Sequence, residues 1–163
     1  MLSPRSCLLV LSSLVCGAGL PAVGQDDAVA LPVGTNRLAD IGIYRVAYAS
    51  YGGATVEMPG SWVGHFEPVS GISYQPGERV LGVPAILLHT PWRVPAGRAW
   101  VDYRLHLPQV TPIRLAFSIA MLPDVAVPGK SDGVTFGCSL RRGDQEEVLL
   151  SEHYDKGVWK PFS

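Results

Sequence analysis

Charge of either sign is scarce in this chain of 163 residues: Asp, Glu, Lys and Arg make up 17% of it, and 14 acidic residues nearly cancel 13 basic ones. It contains no Lys/Arg run. The electrostatic footprint of a nucleic-acid or anionic-membrane binder is therefore missing, and neither partner is expected. Cysteine is equally sparse. Of the three cysteines, Cys7 and Cys16 lie in an N-terminal segment treated below, which leaves Cys138 alone and excludes a disulfide framework. Cys138 reads as a small apolar filler within a strand rather than a reactive thiol. The four histidines, His65, His89, His106 and His153, are scattered without a His-x-x-x-His pair, so no metal or other cofactor is expected. A Gly-x-Ser-x-Gly elbow and a phosphate-cradling Gly-rich loop ending in Lys are also lacking. Two carboxylates can always be chosen from such a chain, Glu67 and Asp102 for instance. Glycoside hydrolysis, however, is defined by the separation of such a pair in space, so the choice carries no weight. The chain is expected to be no enzyme.

The N-terminus sets the compartment. Residues 1–5 carry one positive charge, and residues 7–15 (CLLVLSSLV) are apolar but too short to cross a bilayer as a helix. Gly17, Gly19 and Pro21 then break any helix, and Ala22, Val23 and Gly24 place small residues just before polar Gln25, Asp26 and Asp27. This is the pattern of a signal peptide, with cleavage near Gly24 and export to the periplasm or the extracellular space. Lipid attachment at Cys16 is the weaker reading, because Ser13 stands where such sites usually carry Leu.

No segment sustains the 3.6-residue period of an amphipathic helix. Instead, 18 Gly and 14 Pro interrupt short apolar runs, at intervals of about 8 to 12 residues that mark an all-β sandwich or barrel. Residues 25–38 read as a loose leader and 39–163 as one β domain without a transmembrane span. Strands are expected at 41–49, 62–67 and 79–89, the last bulged or confined to an edge by Gly82 and Pro84. A hairpin is expected from 134–140 through a turn at 141–144 to 147–153, and a final strand from 158. Arg142, Gly143 and Asp144 spell an adhesion tripeptide, but they also suit an ordinary hairpin turn.

The sharpest pattern lies in residues 98–121. Val101, Tyr103, Leu105 and Leu107 alternate with Trp100, Asp102, Arg104 and His106. A second arm alternates Ile113, Leu115, Phe117, Ile119 and Met121 with Arg114, Ala116, Ser118 and Ala120. Pairing Leu107 with Ile113 keeps both apolar faces together and sets Asp102 opposite Ser118. Phe117, Ile119, Val134 and Phe136 are the expected core. The other face gathers an indole, a carboxylate, a guanidinium and an imidazole beside small residues, and those are parts a sugar site uses. Trp100, Asp102, Arg104, His106 and Ser118 are thus candidate ligand residues, with Trp92, framed by Pro91 and Pro95 on a rim, as a second platform, although burial as a plug at the end of the sandwich is the plainer reading of that ring. The plainer reading is a solvated polar face, because alternation on an antiparallel sheet produces one without any ligand.

The segments PWRVPAGRAWVDYRLHLP at 91–108, the strand carrying Leu115 to Met121, SDGVTF at 131–136 and EHYDKGVWKPF at 152–162 together resemble a module of exported bacterial proteins. That module is similar to the galactose-binding-like β-sandwiches, including those described as a novel carbohydrate-binding module. The resemblance implies a jelly roll without catalytic activity that holds carbohydrate or another cell-surface ligand on one face or its rim loops. Chains of that family continue with further strands after the segment matching 159–162. The resemblance therefore implies missing C-terminal strands and an unpaired sheet edge, covered by self-association or by a partner strand. A structural role in a larger envelope or extracellular assembly is the alternative to ligand binding.

Overall fold

The computed structural model describes residues 28–58, 62–63, 66–93 and 96–163, together with the backbone of a strand at 7–15. The chain is all-β. In order its strands are β1 (Cys7–Val15), β2 (Val29–Ala30), β3 (Arg45–Ser50), β4 (Val56–Met58), β5 (Ser73–Val80), β6 (Val83–His89), β7 (Gly97–Asp102), β8 (Leu105–His106), β9 (Phe117–Ile119), β10 (Val134–Arg142), β11 (Gln145–Tyr154) and β12 (Lys160–Phe162). Among the described residues no helix is long and apolar enough to cross a membrane.

The main sheet has six strands in the order β11-β10-β1-β7-β3-β4, with β1 parallel to both of its neighbours and the other pairs antiparallel. β3, inside the edge strand β4, suits an interior place by composition. Val46, Ala47, Tyr48 and Ala49 are all buried, a continuous apolar run that suits a strand covered on both faces. The smaller ladders are β5–β6, β2–β8 and β9–β12.

Two apolar clusters form under these ladders. The first joins Val46 and Tyr48 of β3, Ile72, Tyr74 of β5, Ala99 and Val101 of β7, Tyr103 and Leu105, with Ile86 and Leu88 of β6 packed against it. The alternation read at 101–107 is the one the fold uses: Val101, Tyr103 and Leu105 are buried, and Leu107 packs against them. The second cluster joins Ile119, Met121 and Phe136, backed by Phe117, Val134, Tyr154 and Phe162. Ile119 and Phe136 are buried and Phe117 and Val134 half-buried, which agrees with the expected core.

Several local readings need correction. The strand expected at 79–89 is two strands, because Leu81 (φ 50°) and Gly82 (φ 78°) turn the chain between β5 and β6. Gly accepts this left-handed backbone freely, but an apolar branched residue rarely does, so the sequence conceals the turn. No strand forms over the described residues of 62–67, since Glu67 caps a turn instead; His65 lies outside the described residues. The leader is tied down from residue 28: Val29 donates to the Arg104 carbonyl (2.8 Å), Leu31 to that of His106 (2.9 Å), and Leu31 and Leu38 pack on the first cluster. The cleavage position near Gly24, Cys16 and residues 25–27 lie outside the described residues. The hairpin at the end of the chain is as expected, with β10 and β11 turning at Gly143 and Asp144.

Tyr103 carries a testable oddity. Its side chain is buried, and its Oη makes no well-formed hydrogen bond among the described residues, with the Tyr74 hydroxyl as its polar neighbour. Burial first, and then the neighbouring Tyr74, push the phenol far above its usual pKa. A buried donor without a well-formed bond costs desolvation energy, so Tyr103→Phe is expected to raise stability by about 1 kcal/mol. Urea unfolding would show this as a higher midpoint at unchanged slope.

Candidate functional site

The ligand face expected on a 98–121 hairpin is not assembled. β7 already has β3 on one edge and β1 on the other across Arg98–Asp102, so no edge remains for β9. β9 pairs with β12 instead, placing Ser118 opposite Pro161 and Phe117 opposite Phe162. Between them, residues 107–116 form no strand, and Ile113 and Leu115 are exposed rather than buried. The expected pairings of Leu107 with Ile113 and of Asp102 with Ser118 therefore do not occur.

Each candidate has its own surroundings. Asp102 is buried, and its carboxylate accepts a hydrogen bond from Arg45 Nε, whose Nη1 also pairs with Glu57. Burial works against the Arg45 charge, but the hydrogen bond to Asp102 and the charges of Asp102 and Glu57 outweigh it and raise the guanidinium's pKa. Arg104 lies over the Tyr44 ring at 3.4 Å, and Arg98 over the half-buried Trp100 at 5.1 Å. His106 is exposed on β8, opposite Ala30 of β2. Ser118 is exposed on β9, in an open recess that Phe117 and Phe162 line with their rings stacked at 5.5 Å. The residues read as one face thus divide among three ladders, the main sheet, β2–β8 and β9–β12, with Asp102 engaged beneath the surface.

Trp92 stands apart from these in a built rim. The turn at 67–71 is held by Glu67, whose carboxylate accepts hydrogen bonds from Val69 N (3.0 Å), Ser70 N (2.6 Å) and Ser70 Oγ (2.5 Å). Burial would raise the Glu67 pKa, but the Ser70 hydroxyl, the Val69 and Ser70 amides and the Arg93 charge together hold it below the usual carboxylate value. The Ser70 carbonyl then accepts from the amides of Trp92 (2.9 Å) and Arg93 (3.0 Å), and Arg93 Nη1 donates to the Pro68 carbonyl (3.0 Å).

The indole lies directly on Gly71. A Cβ at that residue would fall 2.3 Å from Trp92 Nε1, and its φ of 80° is left-handed, so glycine is required on both counts. Trp92 nevertheless remains 48% exposed, with the Arg93 guanidinium 4.8 Å from its ring centroid. On the same two segments Phe66, also exposed, meets His89 edge to face at 5.8 Å. An indole fixed by its backbone, with a cation beside it and ring surface in water, can stack on an apolar face and donate to hydroxyls at its border.

The rim position of Trp92 is legible in its proline frame, but its 48% exposure goes against the plainer expectation of a buried plug, and Glu67, Ser70, Gly71 and Arg93 give no periodic sign of supporting it. Glu-Pro-x-Ser-Gly is a turn signal, and it could have been read as one. Among the described residues no group of three His, Cys, Asp or Glu is placed to hold a metal ion. Cys138 is buried, and burial raises its thiol pKa, so it lacks the thiolate character of a nucleophile. Comparison of the chain with protein-family models, with curated proteins and with solved structures finds no match.

Proposed function

We propose that this chain is an exported, non-catalytic β-sandwich module of the galactose-binding-like kind, which binds carbohydrate through the rim carrying Trp92. The observation that carries this reading is the half-exposed indole seated on Gly71 and flanked by Arg93. A large apolar ring left in water, with its support fully hydrogen-bonded, is well suited to meet the C–H face of a sugar. Arg93 supplies charged donors to the hydroxyls around it. The signal-like N-terminus supports export, and the segments resembling the module from Pro91 to Phe162 support the sandwich class.

A glycan array probed with the purified chain tests the reading. Trp92→Ala is expected to weaken sugar binding by about tenfold or more, the equivalent of about 1.4 kcal/mol. Its melting temperature should change little, since the ring is half exposed. Binding that is unchanged in Trp92→Ala but lost in Trp100→Ala would move the site to β7. An array without any retained glycan would overturn the carbohydrate reading.

A second reading, an assembly module that uses a sheet edge, has one observation in its favour. β11 pairs only with β10 among the described strands, and its Val148 and Leu149 are exposed. Co-purification of a partner chain without glycan binding would favour it.

A further inference from the structure

The main sheet is continuous only because of β1. On one side Cys7, Leu8, Leu9, Val10, Leu11 and Ser12 take register with Val134 to Ser139 of β10, and on the other Leu8 to Ser12 with Arg98 to Asp102 of β7. In that sheet β7 and β10 do not pair with each other. One apolar cluster belongs to the β3, β5, β6 and β7 side and the other to the β9, β10 and β12 side, and in the strand order β1 lies between β7 and β10. Its composition suits the place, since strands parallel to both neighbours commonly read as near-continuous apolar runs. Yet the same residues form the apolar stretch of a secretion signal. Export would remove the strand on which the sheet closes. Two rows of backbone donors and acceptors would then be left open side by side, each costing free energy if buried unpaired.

We propose that the slot between β7 and β10 is a strand-acceptor site, filled by Cys7–Val15 in the unprocessed chain and, after export, by an apolar strand that a partner protein donates. This rests on the export half of the proposed function, since processing is what empties the slot. The occupant's chemistry follows from the ladder. It is an extended segment of about nine residues, uncharged and rich in Leu and Val, running parallel to Arg98–Asp102 and to Val134–Ser139. Main-chain hydrogen bonds on both of its edges supply affinity, and the parallel direction supplies selectivity.

The test uses the full chain carrying Leu11→Pro, because proline removes a ladder donor and drives the segment out of a central strand. A fluorescent peptide of sequence SLLVLSSLV with a lysine tail is the probe. The variant is expected to bind it with micromolar affinity, about tenfold more tightly than the reversed sequence, while the parent chain takes up neither. Hydrogen exchange over 97–102 and 134–142 should quicken in the variant and slow again on binding.

If Leu11→Pro does not fold, a protease site placed between residues 16 and 27 of the parent chain allows the strand to be cut loose and exchanged for the labelled peptide. Equal uptake of forward and reversed peptides, or exchange protection that ignores the substitution, would overturn the acceptor site. A processed chain that dimerises and refuses the peptide would overturn the donated partner strand in favour of a second copy. The N-terminal mass of the exported product reports separately on export. Peptide uptake with an unprocessed N-terminus sinks the export reading and keeps the slot, whereas a processed N-terminus without uptake does the reverse.

Discussion

Phe136→Ala should cost about 3 to 5 kcal/mol, the usual range for emptying a buried phenylalanine site. The ring is buried in the second cluster with Ile119 and Met121, and its strand β10 is paired on both sides, with β1 and β11. Little around it can collapse into the space, because Gly137, Cys138 and Ser139 beside it are buried as well. In a chain of this length the loss corresponds to a melting temperature lower by about 10 °C. Phe117→Ala is the internal control. That ring is half-buried and stacked on Phe162, so it should cost about half as much. Equal losses at the two positions would mean that the second cluster is centred on β9 rather than on β10.

The alternation of apolar and polar residues identified the inward sides of β7 and β9 but not their neighbours. Val101, Tyr103 and Leu105 point inward as their spacing requires, and Ile119 and Met121 do too. A period of two says which face a side chain occupies and is silent on which strand lies beside it. The 98–121 hairpin was inferred from proximity in sequence, a rule that holds for β10 and β11 because only Gly143 and Asp144 separate their arms. It fails for β7 and β9, where Pro108 and Pro112 frame a segment that forms no strand and both edges of β7 are already taken. The β5–β6 turn was hidden for a different reason. Leu81 carries a positive φ, a backbone state its side chain gives no sign of accepting. The support beneath Trp92 was hidden because a turn built by Glu67 and Ser70 shows no periodicity at all.

Asp102 is where a sequence reading of polar and apolar faces misleads most, and Arg45→Met measures by how much. Asp102 sits on what alternation names the polar face, yet its side chain is only 7% exposed, and Arg45, itself only 23% exposed, is its counterion. Methionine keeps the apolar reach of the arginine stem and removes the charge, which takes from a buried carboxylate the guanidinium that hydrogen-bonds it. Such a break costs up to about 3 to 5 kcal/mol, because the desolvation penalty stays while the attraction of Arg45 is lost. Glu57→Gln removes the outer member of the same group, and at 57% exposure it should cost no more than about 1 kcal/mol. The double variant Arg45→Met with Asp102→Leu separates pairing from packing. With both charges replaced by apolar groups, most of the lost stability should return, and the coupling between the two sites should be far from zero. Chemical denaturation of the four proteins at neutral pH reads all of these terms. Arg45→Met unfolding at the parent's midpoint would mean that water screens the pair and that it contributes little net stability.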